Sequence, residues 1–151
     1  MNQETLAIAE AALASSGHPG KLTLVRQLTA ETRKSRVLRC TFTGAGEHTA
    51  TGVVIRQLTE VERQTTAGQG ILRDWSALRH LSTIPDAHSL APGFLAGDVG
   101  EALLVMEDLG EGESLVEALL GDSPRKAEAL LLSAARLLGR LHGTTQGRDA
   151  G

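Results

Sequence analysis

Residues 35–58 read SRVLRCTFTGAGEHTATGVVIRQL, and this stretch decides the fold. Val37, Arg39 and Thr41 alternate with Leu38, Cys40 and Phe42, the period of a strand with two unlike faces. Gly44-Ala45-Gly46 then reads as a turn. Thr49 to Leu58 follows with the β-branched run Thr51, Val53, Val54 and Ile55. Leu22 to Leu28 alternates in the same way, Leu22, Leu24, Arg26 and Leu28 against Thr23, Val25 and Gln27. The polar, turn-like segment Thr29 to Lys34 joins it to the quoted stretch. Three short strands with tight links predict an antiparallel meander.

Ahead of the meander, Thr5 to Ser15 is an Ala-rich helical stretch with apolar Leu6, Ile8, Ala9 and Ala12, closed by Gly17, Pro19 and Gly20. Behind it, Glu60 to Gln69 is polar. Ile71, Trp75, Leu78 and Leu81 then form one stripe, which predicts a helix over 71–82 stopped by Pro85. Gly93 to Ala96 and Glu101 to Met106 predict two more strands around a turn at 97–100. The acidic, Gly-containing segment Glu107 to Gly112 suits a linker. Ser114 to Leu120 predicts a short helix. Ser123, as N-cap, and Pro124, at the first position, open the longest helix, Arg125 to His142, ended by Gly143. The predicted class is α+β: a five-stranded antiparallel sheet with one packed helix, then a linker and two helices.

The last helix is unusually apolar. Leu130, Ala134, Leu137 and Leu141 share one face, and Leu131, Ala135 and Leu138 the adjoining one, with Leu132 beside them. Ser133, Arg136 and Arg140 leave only a narrow polar stripe. Such a helix is normally buried on more than one side, and the preceding elements cover one. The expectation is an exposed apolar patch and self-association through residues 124–142.

Composition excludes several classes. The chain has 151 residues, 41% apolar and 22% charged, which suits one globular domain. Fifteen Lys and Arg against eighteen Asp and Glu give a net charge of -3, which argues against a general nucleic-acid partner. Aromatic residues are 2%, too few for a stacking surface. One cysteine, Cys40, rules out an internal disulfide and fits a small core residue in a reducing compartment. His18, His48, His80 and His88 show no ligand spacing, so no metal site is expected from them. Met1 to Glu10 carries acids and lacks the pattern of a signal peptide. No stretch approaches the roughly 18 apolar residues of a spanning helix. The expectation is a cytoplasmic protein without a membrane partner.

Four segments carry a resemblance. Val53-Val54-Ile55-Arg56 ends the third strand, and Arg73-Asp74-Trp75 opens the helix inserted after it. Leu103-Leu104-Val105-Met106-Glu107-Asp108-Leu109-Gly110 is an apolar strand running into the acidic linker, and Leu138-Gly139-Arg140-Leu141-His142 closes the last helix. In this order they resemble the N-terminal lobe of the aminoglycoside/choline phosphotransferase family, small-molecule kinases with a protein-kinase-like fold. The likeness runs from about Leu22 to His142. It implies a kinase-like lobe over 1–106, a hinge-like linker over 107–112 and the first helices of a C-terminal lobe over 113–151.

The same resemblance implies ATP or GTP with Mg2+ as donor and cofactor. Arg56 would meet the phosphates, where the family usually has Lys, and Asp74 would hold it, where the family usually has Glu. The carbonyl of Glu107 and the amide of Leu109 would meet the adenine edge. Ser35 would donate at the end of the phosphate loop, Thr29 to Arg36, which has no Gly here. Read alone, Arg56 is an edge arginine, Asp74 a solvated helix aspartate, Glu107 to Gly110 a strand end and turn, and 29–36 a hairpin turn. Asp108-Leu109-Gly110 mimics the magnesium triplet, but no catalytic loop precedes it. His142-Gly143-Thr144 begins like the catalytic His-Gly-Asp, but Thr144 cannot act as a base at neutral pH. The family's catalytic aspartate, asparagine and metal-binding aspartate follow the segment matching 138–142, and the chain holds no candidate for them. The expectation is therefore a nucleotide-binding part of a phosphotransferase, inactive alone, its partner a second chain or C-terminal lobe. The alternatives are a non-catalytic module with a kinase-like lobe and an unrelated α+β interaction domain.

Overall fold

The computed structural model describes residues 2–29, 35–63, 66–87 and 89–146, the side chains of 61 and 66–69 excepted. In chain order the elements are α1 (Asn2–Ser15), β1 (Gly20–Gln27), β2 (Ser35–Gly44), β3 (Ala50–Leu58), α2 (Glu60–Arg63), α3 (Thr66–Ser82), β4 (Phe94–Asp98), β5 (Leu103–Glu107), α4 (Leu115–Leu120) and α5 (Pro124–Thr145). The five strands form one open sheet in the order β1-β2-β3-β5-β4, antiparallel throughout. The fold is α+β. In register, Val37 faces Arg56, Arg39 faces Val54 and Cys40 faces Val53.

Alternation gives the sheet two buried faces. On the first, Leu22, Leu38, Cys40, Val53, Ile55, Leu103 and Val105 meet Ala9, Ala12 and Leu13 of α1. The small alanines let that helix approach the strands closely. Glu10 ties it down, accepting from the Leu22 amide at 2.9 Å and from Lys21 at 2.9 Å. On the second face, Leu58, Ala102 and Leu104 meet Ile71 of α3, with Trp75, Leu78, Phe94 and Met106 around them. Two helices pack on the sheet, where the sequence pattern predicts one. The apolar stripe of α1 is built of alanines, which declare burial only weakly.

Other boundaries shift for local reasons. Glu107, expected in the linker, is the last residue of β5 and pairs with Val53. The polar segment from Glu60 is helical in part, as α2 and the first turn of α3. Helix α5 runs through Gly143 to Thr145, and the Thr144 and Thr145 hydroxyls donate to the Arg140 and Leu141 carbonyls at 2.8 and 2.9 Å. Residues 30–34 of the expected phosphate loop lie outside the described residues. Ser35 opens β2, opposite Leu58.

The C-terminal hairpin stands apart from this core. Ser114 caps α4 with a full capping box: its hydroxyl accepts from the Glu117 amide, and the Glu117 carboxylate accepts from the Ser114 amide. That amide and hydroxyl hold the Glu117 carboxyl below its ordinary pKa, although it is fully exposed. Ser123 is the N-cap of α5, with Pro124 in its first turn, but its side chain makes no cap bond. Helix α5 packs chiefly on α4, and none of its residues is buried. Leu131 and Leu138 are 51% and 53% exposed, and Leu132 and Leu137 are exposed beside them. No described helix is long and apolar enough to cross a membrane.

The docking of α3 turns on Gly97 in β4. A Cβ there would lie 2.2 Å from Trp75 Nε1 and 3.1 Å from the Leu103 carbonyl. Trp75 also meets Phe94 edge-on, ring centroids 5.9 Å apart, with Arg79 over its ring. Gly97→Ala should displace the indole and destabilise the fold by about 1–3 kcal/mol. Trp75 is the sole tryptophan, so a shifted emission maximum with an earlier urea midpoint would report it. An unchanged spectrum and midpoint would refute this packing.

Candidate functional site

The second sheet face gathers most of the residues that the sequence singles out. Arg56 projects from β3 on the side of Val54, away from the core residues Val53 and Ile55. Asp74, on α3, meets it: Arg56 Nη1 donates to Asp74 Oδ2 as an ion pair. The two side chains are 34% and 49% exposed. Exposed pairs of this kind add little stability, about 0–1 kcal/mol. The pair fixes the direction of a guanidinium more than it holds the fold. Ser35 shares this face by alternation with Val37, which stands opposite Arg56.

Glu107 and Leu109 are not brought to Arg56. Arg56 pairs with Leu104 and Val53 with Glu107, so the linker begins three residues away, about 10 Å along the strand. The Glu107 amide donates to the Gly93 carbonyl at 2.9 Å, and its carboxylate accepts from the Gly93 amide at 3.1 Å. Leu109 is largely exposed, and the chain turns at Gly110 with φ 84°.

A different cluster holds the linker, one the sequence motifs do not reveal. Arg39 shares the face of Val54 and Arg56. Its Nη2 donates to Asp108 Oδ1 at 3.1 Å and to the Gly110 carbonyl at 2.8 Å. Its Nε lies 2.8 Å from Asp108 Oδ2 without hydrogen-bond alignment, so that contact is ionic only. Nη1 reaches Glu111 at 3.0 Å, and Arg26 joins the same carboxylate at 2.7 Å. Asp108 also accepts from the Gly110 amide at 2.9 Å, while its own amide donates to the Gly52 carbonyl at 3.1 Å. Arg39 and Asp108 are only 15% and 11% exposed. The triplet 108–110 is thus a structural turn. Asp108 is visible in the sequence and Arg39 sits on an alternating strand, but no spacing rule links residues 69 apart.

The remaining candidates fall elsewhere. Cys40 is fully buried, and burial pushes its thiol from 9.0 up to about 11, so it stays protonated at neutral pH. His18 and His48 are exposed and His80 is half-buried, while His88 lies outside the described residues. His142 is exposed near the end of α5. Among the described residues no group of three or more His, Cys, Asp or Glu could hold a metal. Chemically, the face offers guanidinium groups from Arg26, Arg39 and Arg56, each already met by a carboxylate. No protein-family model matches the chain, and no curated protein matches it.

The clamp makes a direct prediction. Arg39→Met leaves the Asp108 carboxylate desolvated and unpaired, and should cost about 2 kcal/mol or more. Asp108→Asn should cost nearly as much, and the double variant less than the sum of the two. Urea unfolding of the four proteins measures this; additive effects would show that the pair is not coupled.

Proposed function

We propose that the chain is the nucleotide-binding part of a phosphotransferase that moves the γ-phosphate of ATP or GTP to a small-molecule hydroxyl. The observation that carries this reading is the Arg56–Asp74 ion pair between β3 and α3. Phosphoryl transfer needs a positioned cation at the phosphates, because catalysis there is mostly positioning and charge stabilisation. Asp74 would orient the Arg56 guanidinium, whose planar fork suits phosphate oxygens. Ser35 would donate from the same face. The Glu107 carbonyl and Leu109 amide would serve the base through backbone groups.

The catalytic base would come from outside this chain, so the chain alone is expected to bind without turnover. Magnesium, implied by the resemblance, finds no group of three or more His, Cys, Asp or Glu among the described residues. The exposed leucines of α5 support self-association through 124–142, or the docking there of a second chain or lobe. Such a protein would work in the cytoplasm, where its nucleotide is abundant.

A second reading has its own support. The Arg39–Asp108–Glu111 cluster occupies the space between β2 and the linker, where a base would lie against the sheet. A closed cluster there favours a non-catalytic module of kinase-like shape.

Calorimetry with ATP separates the two. The first reading predicts weak binding, with Kd about 0.1–1 mM, and a loss of about tenfold in Arg56→Ala. No heat with either ATP or GTP would favour the module. Phosphorylation of an acceptor by the chain alone would contradict the absence of catalytic groups. Separately, sedimentation should show association at micromolar protein, reduced in Leu131→Lys and Leu138→Lys. A monomer unchanged by either substitution would remove the self-association.

A further inference from the structure

We propose that α5 pairs antiparallel with the α5 of a second copy of this chain, about a two-fold axis at Ala135. This pairing deepens the self-association that the exposed leucines support, and it is independent of the nucleotide reading. Helix α5 has 22 residues and α4 only 6, about 33 Å of length against about 9 Å, so α4 can cover one end of α5. Their contact is pinned at the start of α5, where Lys126 meets Glu113. Ala127 and Leu130, at that end, are half-covered.

A second stripe of α5 is left to water. Residues three and four apart share a helix face, so Glu128, Leu131, Ala135, Leu138 and His142 form one line along the helix. Every one of them is exposed, Leu131 and Leu138 by about half. At about 100° per residue, Arg136 and Arg140 lie well round the helix from this line. Glu128 and His142 are thus the two charged or titratable groups on it, one near each end.

The line complements itself in one orientation. Glu128 and His142 are each seven residues from Ala135, on opposite sides of it. A two-fold axis there sets Glu128 of each copy beside His142 of the other, a carboxylate acceptor with an imidazole N–H donor. It also brings Leu131 of each copy alongside Leu138 of the other. Directly opposite Leu131 falls Gly139 of the second copy, and a Cβ at Gly139 would meet open space in the single chain. A glycine inside a helix costs about 1 kcal/mol relative to alanine, and here its missing side chain makes room for a leucine. The parallel alternative sets Glu128 beside Glu128, where like charges repel. Charge therefore selects a second copy as the occupant and antiparallel as its direction.

The test is disulfide trapping in the full chain, with Cys40 left in place because it is fully buried. Ala135→Cys should cross-link to itself under mild oxidation, because the axis brings the two copies of residue 135 together. Glu128→Cys should not cross-link to itself, since its two copies lie about 21 Å apart along the helices. An equal mixture of Glu128→Cys and His142→Cys should cross-link, and Arg140→Cys, on the far side of the helix, should not. All of these positions are exposed, so folding of the variants is not at stake. Sedimentation equilibrium should show a dimer about tenfold weaker in Glu128→Lys and restored in Glu128→Lys/His142→Glu. An associating chain in which Glu128→Cys cross-links to itself, or in which the double variant does not recover, overturns this arrangement and leaves self-association standing. A wild-type chain that stays monomeric overturns both, and neither result bears on the calorimetry with ATP.

Discussion

The alternation along β3 sends Val53, Ile55 and Gln57 to one side and Val54, Arg56 and Leu58 to the other, and both sides must then be covered. That requirement organises the molecule. β3 is central, hydrogen-bonded to β2 and β5 at once, so its backbone is paired along both edges. Helix α1 answers on one side with alanines, and α3 answers on the other with Ile71, Leu78 and Trp75. Polar residues on such a strand have to find partners in the layer above them. Gln57 does so through Thr5, and Arg56 through Asp74.

Two charge clusters share the α3 face and differ in kind. Arg56–Asp74 is open to solvent, so its members can exchange a carboxylate partner for a ligand anion at small cost. Arg39–Asp108 is largely shielded, and without Arg39 the Asp108 carboxylate would be left desolvated with no cation beside it. The first arrangement suits binding, and the second suits holding a turn in place. Their neighbourhood means that whatever approaches Arg56 from the linker side meets a fixed lattice of ions, drawn from β1, β2 and the linker.

The C-terminal hairpin obeys local rules and lacks a tertiary answer to them. Helix α4 is capped by its own residues, Ser114 with Glu117, and Lys126 of α5 meets Glu113 at 2.5 Å. Leu130 and Leu141 are half-covered, while Leu131 and Leu138 face water. An apolar helix with a satisfied backbone and an unsatisfied surface is stable enough to form and sticky enough to associate.

The sequence by itself determined the strands, the helices and the α+β class, because side-chain period and turn residues are local properties carried within about ten residues. That Arg56 meets Asp74 is implied by the family resemblance and not by local pattern, and the structure brings the two together. The sequence did not reveal that α1 covers the sheet, since a stripe of alanine and leucine looks much the same at the surface as in a core. Nor did it reveal the Arg39–Asp108–Glu111 clamp or the Arg36–Thr5–Gln57 chain. These join residues between 31 and 72 positions apart, which only sheet register and helix docking bring together. A polar side chain states in the sequence that it needs a partner. Which partner it receives is settled by the tertiary fold, where burial turns that need into an energy large enough to choose.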